Sequence, residues 1–148
     1  GMRCLLQLSK APEDEGLTVK EIATREGLSP AYAEKLLRLL SRVGLIHSVR
    51  GSTGGYLLNR KSSQITLAEV GRALGNVPTT QEICNRFTGN RTSCIHIDDC
   101  CIRSAWATLT QMIENFLERT YLSDLIGDET KIRQTLEARV ASQFIRPG

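Results

Sequence analysis

Two helix-start signals occur close together, separated by a glycine, and this order is compatible with few folds. Thr18-Val19-Lys20-Glu21 forms a capping box, in which the Thr18 hydroxyl accepts from the Glu21 amide and the glutamate carboxylate accepts from the Thr18 amide. Gly27 ends this short helix, and Ser29-Pro30 begins a second one, with serine as the N-cap and proline at the first helical position. Two short helices joined by a tight turn form a helix-turn-helix.

Two β-prone segments follow the second helix directly. They span residues 45–50 and 56–59, and the glycine-rich run Gly51-Ser52-Thr53-Gly54-Gly55 between them predicts a hairpin with a flexible tip. A helix-turn-helix followed by a basic hairpin is a winged helix. The chain is therefore predicted to be mainly α with a small β-hairpin wing, its winged helix-turn-helix domain spanning residues 1–78.

A long helix with one narrow apolar seam is predicted near the C-terminal end. The seam residues recur at steps of 3, 4, 3 and 4, and they are Trp106, Leu109, Ile113, Phe116 and Thr120. The seam could pack on its own domain, but we expect it to pair with a second copy, since a two-fold dimer is the commonest oligomer. Residues 105–148 are thus predicted to contain a dimerisation helix and a C-terminal helix.

Charge is unevenly distributed along the chain. Residues 17–61 contain eight basic and three acidic residues, a balance of +5, so the remainder carries −2 of the total of +3. A basic segment favours a partner with phosphates, whereas an ordinary solvated face is the alternative. No apolar run approaches the roughly 20 residues that cross a bilayer, and no secretory leader is visible. We therefore expect a cytoplasmic protein without a membrane partner.

The start of the second helix is the predicted DNA-reading element, because the N-terminal end of a recognition helix enters the major groove. Glu34 can accept from a cytosine amino group and Tyr32 can contact a phosphate or a thymine methyl, whereas Arg50 could enter the minor groove. The predicted DNA-binding residues are Ser29, Pro30, Ala31, Tyr32, Glu34, Lys35, Arg38, Arg50, Ser52, Thr53, Gly54 and Gly55. The alternative is a helix that binds another protein.

Residues 79–104 are predicted to form a cysteine-rich sensor loop. Four of the five cysteines lie in it, at Cys84, Cys94, Cys100 and Cys101. A disulfide, a zinc site, an iron–sulfur cluster and a reversible thiol switch could each use them, and inert thiols are the remaining alternative. Thiols stay reduced inside cells, which favours metal binding or redox sensing. The absence of a Cys-x-x-Cys pair counts against structural zinc.

The DNA-binding core resembles that of the Rrf-type bacterial transcriptional regulators, the family that includes IscR, NsrR, RirA and CymR. The similar segments are 29–36, which reads SPAYAEKL, 43–46, which reads VGLI, and 49–58, which reads VRGSTGGYLL. The resemblance implies a homodimeric winged-helix repressor or activator that binds a double-stranded DNA operator. It implies base contacts from Ala31, Tyr32 and Glu34 and a minor-groove contact from Arg50. The wing departs from the family pattern, since members often have Gly-Pro-Gly-Gly-Gly.

The resemblance also implies an iron–sulfur cluster, either 2Fe-2S or 4Fe-4S, held by three cysteines. Their positions correspond to Cys84, Cys94 and Cys100, although Cys84 lies further from Cys94 than is usual. IscR-like members place a histidine three residues after the third cysteine as the fourth ligand, and here Arg103 stands there. The local candidates for the fourth ligand are Cys101, His96, Asp98 and Asp99.

The sequence therefore predicts a dimeric transcriptional regulator that senses iron–sulfur cluster status, redox state or nitric oxide. A cluster-free thiol-switch regulator, a CymR-like adaptor with a protein partner and an electron-transfer or cluster-carrier protein are the alternatives. An enzyme is not expected, because the two histidines, His47 and His96, have no evident catalytic companions.

Overall fold

The computed structural model describes residues 1–12, 15–51, 54–75, 79–86 and 88–144. Its helices and strands are α1 (Met2–Lys10), α2 (Val19–Glu26), α3 (Pro30–Arg42), β1 (Ile46–Val49), β2 (Gly55–Leu58), α4 (Leu67–Leu74), α5 (Thr80–Arg86), α6 (Cys101–Glu118) and α7 (Glu129–Phe144). The predicted helical fold with one β-hairpin is thereby confirmed. Within these ranges, no helix has the length and apolar character needed to cross a membrane.

Side-chain caps define the helix starts that position the candidate site. Thr18 and Glu21 form the predicted capping box at the start of α2, with the Thr18 amide 2.8 Å from the Glu21 carboxylate. The Ser29 hydroxyl caps α3 by accepting from the amide of Tyr32 at 3.3 Å. Gly27 takes a left-handed conformation with φ of 64° between the two helices, which glycine adopts without steric cost.

The core is enclosed by the helices α1, α2, α3 and α4 and by the base of the hairpin. Its fully buried apolar side chains include Leu5, Ile22, Leu37, Leu40, Leu45, Ile46, Ile65, Val70 and Leu122. Cys4 belongs to this core, and burial raises the pKa of its thiol above the ordinary value. The core therefore fixes the orientation of α3 and the hairpin relative to each other, and Cys4 is one of its packing residues.

The hairpin is joined to the segment before α2 by backbone hydrogen bonds. β1 and β2 pair antiparallel with Ile46 opposite Leu58 and Val49 opposite Gly55. The Leu17 amide donates a hydrogen bond to the Tyr56 carbonyl at 3.1 Å, and the Tyr56 amide donates one to the Leu17 carbonyl at 2.9 Å. A Cβ at Gly55 would lie 2.6 Å from the Leu17 carbonyl carbon and oxygen, so this close approach requires glycine.

The cysteine-rich segment, predicted as a loop, contains helical structure. α5 contains Cys84, and α6 begins at Cys101, one turn earlier than the predicted start at residue 105. A capping box explains α5, because the Thr79 amide donates to the Glu82 carboxylate at 2.8 Å and the Glu82 amide donates to the Thr79 hydroxyl at 3.2 Å. This Thr-x-x-Glu signal is present in the sequence but is followed by little apolar periodicity.

The predicted apolar seam of α6 ends before Thr120. Thr120 is fully buried, its carbonyl accepts from the Leu67 amide at 2.8 Å, and its hydroxyl donates to the Phe116 carbonyl at 2.7 Å. The assignment of Thr120 to the seam is therefore wrong. This residue attaches the C-terminal end of α6 to the start of α4 in its own domain.

An ion pair attaches the C-terminal helix α7 to the segment after α6. The Arg139 guanidinium donates to the Asp124 carboxylate at 2.6 Å and to the Arg119 carbonyl at 2.8 Å. The hydrogen bond from Arg139, together with that from the Tyr121 amide, holds the pKa of Asp124 below its ordinary value. Both side chains of the pair are largely shielded from solvent, with exposures of 28% and 20%.

Asp124→Asn is expected to lower the free energy of unfolding at neutral pH. It should also make that free energy less dependent on pH in the acidic range. Because the folded-state pKa of Asp124 is depressed, its stabilisation is fully present above the unfolded pKa of about 4 and is lost as the pH falls through the folded-state value. The expected loss at pH 7 is about 1–2 kcal/mol. Urea unfolding of wild type and variant at neutral and acidic pH measures the difference between their free energies of unfolding. This difference should shrink on acidification, and a difference that stays constant would contradict the prediction.

Candidate nucleic-acid interface and cysteine cavity

One face of α3 is exposed at the end where a recognition helix reads DNA. Ala31, Tyr32 and Lys35 are exposed on this face, whereas Ala33 and Leu37 point into the core. The N-cap Ser29 and Pro30 are also exposed. The structure thus places the α3 residues of the predicted set on an accessible surface, and the small side chain of Ala31 permits close approach of a partner.

An ion pair on α3 restricts one predicted base-reading residue. Arg38 donates to the Glu34 carboxylate at 2.6 Å, and the two residues are one helical turn apart. Pairs at this spacing on an exposed helix contribute only a few tenths of a kcal/mol, so the pair can open. It nevertheless orients Glu34, and any phosphate that Arg38 bound would compete with this carboxylate for its hydrogen bonds.

The wing presents Arg50 next to a tight glycine turn. Arg50 is exposed immediately after β1, whereas Ser52 and Thr53 lie outside the described residues. A Cβ at Gly54 would lie 2.8 Å from the Gly51 carbonyl oxygen, so the turn itself requires glycine there. Gly54 and Gly55 therefore have structural reasons to be glycine that are independent of DNA contact.

Several cations of the winged domain are exposed and unpaired among the described residues. Among the described residues, Lys35, Arg42 and Arg50 form no ion pair, whereas Arg60 is bound to Glu69 at 2.8 Å. Unpaired exposed cations on and beside a recognition helix suit the phosphate contacts that position a protein on a duplex.

A cavity of about 580 Å³ lies between α5 and the start of α6. Cys84, Cys94 and Cys100 all line it, so the structure brings the predicted ligands to one place. Cys101, His96, Asp98 and Asp99, the local candidates for a fourth ligand, are exposed and do not line the cavity. In the described parts of the chain, no group of three or more Cys, His, Asp or Glu is assembled for a metal ion.

The donors that line the cavity fit an iron–sulfur cluster in their chemistry. Three thiols are soft ligands of the kind that such clusters use, and the surrounding hydroxyl and amide groups can donate hydrogen bonds to sulfur. The thiols would have to move closer together to bind the same cluster, since they are not assembled as a ligand group.

The exposed side of α6 carries an apolar seam. Trp106, Leu109 and Ile113 are 42%, 44% and 42% exposed, and Ile102 before them is 62% exposed. None of the residues of α6 is buried in the single chain. The predicted seam is therefore an uncovered surface from Trp106 to Ile113, whereas Phe116 is half-buried and Thr120 is fully buried.

Polar contacts connect α6 with both the cysteine segment and the winged domain. The hydroxyls of Thr80 on α5 and Thr110 on α6 are 2.9 Å apart. Arg72 on α4 lies 3.6 Å from both Glu114 and Glu118, which are one turn apart on α6. The helix thus contacts α5, which lines the cysteine cavity, near its middle and contacts the winged domain near its end.

Comparison with known proteins identifies the family. Residues 1–128 match the family model Rrf2, described as an iron-dependent transcriptional regulator. The chain is 31% identical over 128 residues to Protein rrf2 of Nitratidesulfovibrio vulgaris, covering 86% of this chain and 83% of that protein. It is 29% identical over 146 residues to the HTH-type transcriptional regulator IscR of Pectobacterium atrosepticum, covering 92% of this chain and 86% of that protein.

Two solved structures of similar fold agree with these matches. CymR, the global cysteine regulator of B. subtilis, superposes with a TM-score of 0.67 at 26% identity, covering 84% of this chain and 88% of that one. IscR of T. potens superposes with a TM-score of 0.64 at 26% identity, covering 93% of this chain and 83% of that one. These relatives are transcriptional regulators and not enzymes. The chain belongs to the Rrf2 family of transcriptional regulators.

Proposed function

We propose that this regulator is a homodimer whose affinity for its operator changes when an iron–sulfur cluster in the cysteine cavity is gained, lost or oxidised. The observation that carries the proposal is that Cys84, Cys94 and Cys100 line one cavity at the start of α6. The similarity to proteins named IscR and to an iron-dependent family supports it. The cluster, when bound, would supply an iron centre that reacts with oxidants or nitric oxide.

Cys100 lies at the N-terminus of α6, a position that favours negative charge such as that of a cluster bound by thiolates. Cys100 is the N-cap residue of α6, and no side chain caps the free amides of the first turn. The N-terminus of a helix stabilises negative charge through these amides and the helix dipole. Cys84 approaches from α5 and Cys94 from the segment between the helices, so the three thiolates would hold the cluster from different elements.

The contacts of α6 suggest how the state of the cavity reaches the DNA-binding surface. Ligand binding by Cys84 and Cys100 would fix α5 against α6, where Thr80 and Thr110 already touch. α6 is attached to α4 through Arg72, so a change at its start alters how the winged domain is held. In a dimer, that angle decides whether two recognition helices meet successive major grooves.

Replacing the cysteines one at a time tests the ligand set. Anaerobically purified wild-type protein is expected to be coloured and to contain iron and sulfide. Cys84→Ser, Cys94→Ser and Cys100→Ser should each lose most of the visible absorption and the iron, because serine is a poor ligand for iron–sulfur clusters.

Cys101→Ser is the matched control for these variants, since Cys101 is exposed and lies outside the cavity. It should keep the wild-type spectrum and iron content. A colourless, iron-free wild-type protein that contains tightly bound zinc would refute the cluster.

A cluster-free thiol switch is the second candidate. It is favoured by the lack of a preassembled ligand group among the described residues. In this case, two cavity thiols would form a disulfide on oxidation by a peroxide, which is reduced to water or an alcohol. Iron-free protein whose DNA affinity changes with peroxide and recovers with dithiothreitol would establish the switch.

A further inference from the structure

Arg103 binds the backbone of the cysteine segment. One terminal nitrogen of its guanidinium donates to the carbonyls of His96, at 2.9 Å, and Ile97, at 2.5 Å. Both carbonyls lie between Cys94 and Cys100, and Arg103 itself lines the cysteine cavity. The side chain therefore closes the turn that carries two of the three cavity thiols.

The position of Arg103 in α6 is unfavourable for a cation. It lies in the first turn, where the helix dipole and the free amides favour acidic side chains, and this turn contains none. The arginine therefore does not serve to stabilise the helix start. Its hydrogen bonds are directed to the preceding turn instead.

Among the described residues that line the cavity, Arg103 is the only charged one. The other residues that line it carry hydroxyl, amide or aliphatic side chains, together with the three thiols. No carboxylate or imidazole is among them, and Arg103 cannot act as a metal ligand because a guanidinium group offers only N–H donors and no acceptor. The wall of the cavity thus offers three thiols and one fixed positive charge.

We propose that Arg103 is a positioning residue that holds the turn between Cys94 and Cys100 closed before any metal binds. By binding two successive carbonyls, it keeps both thiols directed to one cavity and reduces the conformational entropy that a metal centre would otherwise have to overcome. The significance of this role for cluster binding rests on the proposed function, but the role itself can be measured in metal-free protein.

The test compares alkylation rates of individual thiols in metal-free Arg103→Met protein and wild type, using iodoacetamide and mass spectrometry. Loss of both hydrogen bonds is expected to raise the rates at Cys94 and Cys100 roughly tenfold. Cys84 on α5 and the buried Cys4 are internal controls and should not change. A faster reaction at Cys94 and Cys100 but not at Cys84 reports opening of the turn, because Cys84 lines the same cavity from a different element.

Two further variants separate positioning from charge and from general destabilisation. Arg91→Met removes an exposed cation from the same segment and should leave all four rates unchanged. Arg103→Lys keeps a donor in place and should restore part of the protection. Unchanged rates at Cys94 and Cys100 in Arg103→Met, or an equal rise at Cys84, would overturn the proposal.

Iron retention provides a second readout that distinguishes this proposal from the proposed function. Arg103→Met protein should lose iron to a chelator faster than wild type while its thermal unfolding stays the same. If wild type binds no iron, the proposed function fails, yet the alkylation pattern still decides whether Arg103 holds the turn.

Discussion

Ile113→Asp is expected to convert the protein into monomers and to lower its operator affinity by at least about 100-fold, because two linked recognition helices bind far more tightly than one. Ile113 is 42% exposed at the centre of the α6 seam, and the proposed dimer would bury it. An aspartate there would lose its hydration without gaining a partner, which costs several kcal/mol at each of the two positions.

Gln111→Asp is the matched control for the seam. It introduces the same charge into the same helix, but residue 111 is displaced by about 200° around the helix axis from both Leu109 and Ile113. Sedimentation of Gln111→Asp should show the wild-type mass, whereas Ile113→Asp should sediment as a monomer with unchanged helix content. A dimeric Ile113→Asp protein, or equal dissociation of both variants, would place the dimer contact elsewhere.

Ala31→Asp is expected to lower affinity for the operator by about two orders of magnitude, since contacts at each half-site are worth about 1–3 kcal/mol and a dimer has two half-sites. Ala31 is exposed at the second position of α3, where the recognition helix would approach the bases most closely. An aspartate there would crowd the groove and repel phosphates. Acidic residues stabilise the first turn of a helix, so the fold should not be weakened.

Lys131→Ala changes the net charge by the same amount on the exposed surface of α7, outside the proposed DNA-binding residues, and controls for electrostatics. Anisotropy titrations would use a duplex that wild-type protein selects from a random-sequence pool, at 50 and 200 mM salt. Wild-type affinity should fall by about 10³-fold or more over this range if at least six phosphates are contacted. An Ala31→Asp affinity close to wild type, or an equal loss in Lys131→Ala, would contradict the assignment of the recognition face.

Local capping signals predicted the winged domain well. The capping box at Thr18 and the serine cap at Ser29 depend on residues three positions apart, so the sequence contains all the information needed to place α2 and α3. Residue spacing was less informative about tertiary contacts. Thr120 has the spacing of a seam residue, but its hydrogen bond to Leu67 joins segments far apart in the chain, and a spacing pattern does not identify the partner surface.

The cysteine segment was predicted only in part. The sequence indicated which thiols could share a site, and Cys84, Cys94 and Cys100 do line one cavity. It did not indicate that Cys84 lies on a helix, because α5 is short and follows a capping box with little apolar periodicity. Arg103 stood out in the sequence only as a residue that replaces a ligand. Its hydrogen bonds to two backbone carbonyls depend on the conformation of the turn, which no residue pattern specifies.

The most direct test of the account is the operator affinity of anaerobically purified protein before and after removal of the proposed cluster, measured on the selected duplex. Coupling between a ligand site and a binding surface usually amounts to about 5- to 150-fold, and a change of that size is predicted for wild type. The triple variant with serine at residues 84, 94 and 100 should have the same operator affinity before and after the treatment that removes the cluster from wild type. Equal affinities of the loaded and cluster-free wild-type protein would contradict the claim that the cysteine cavity controls DNA binding.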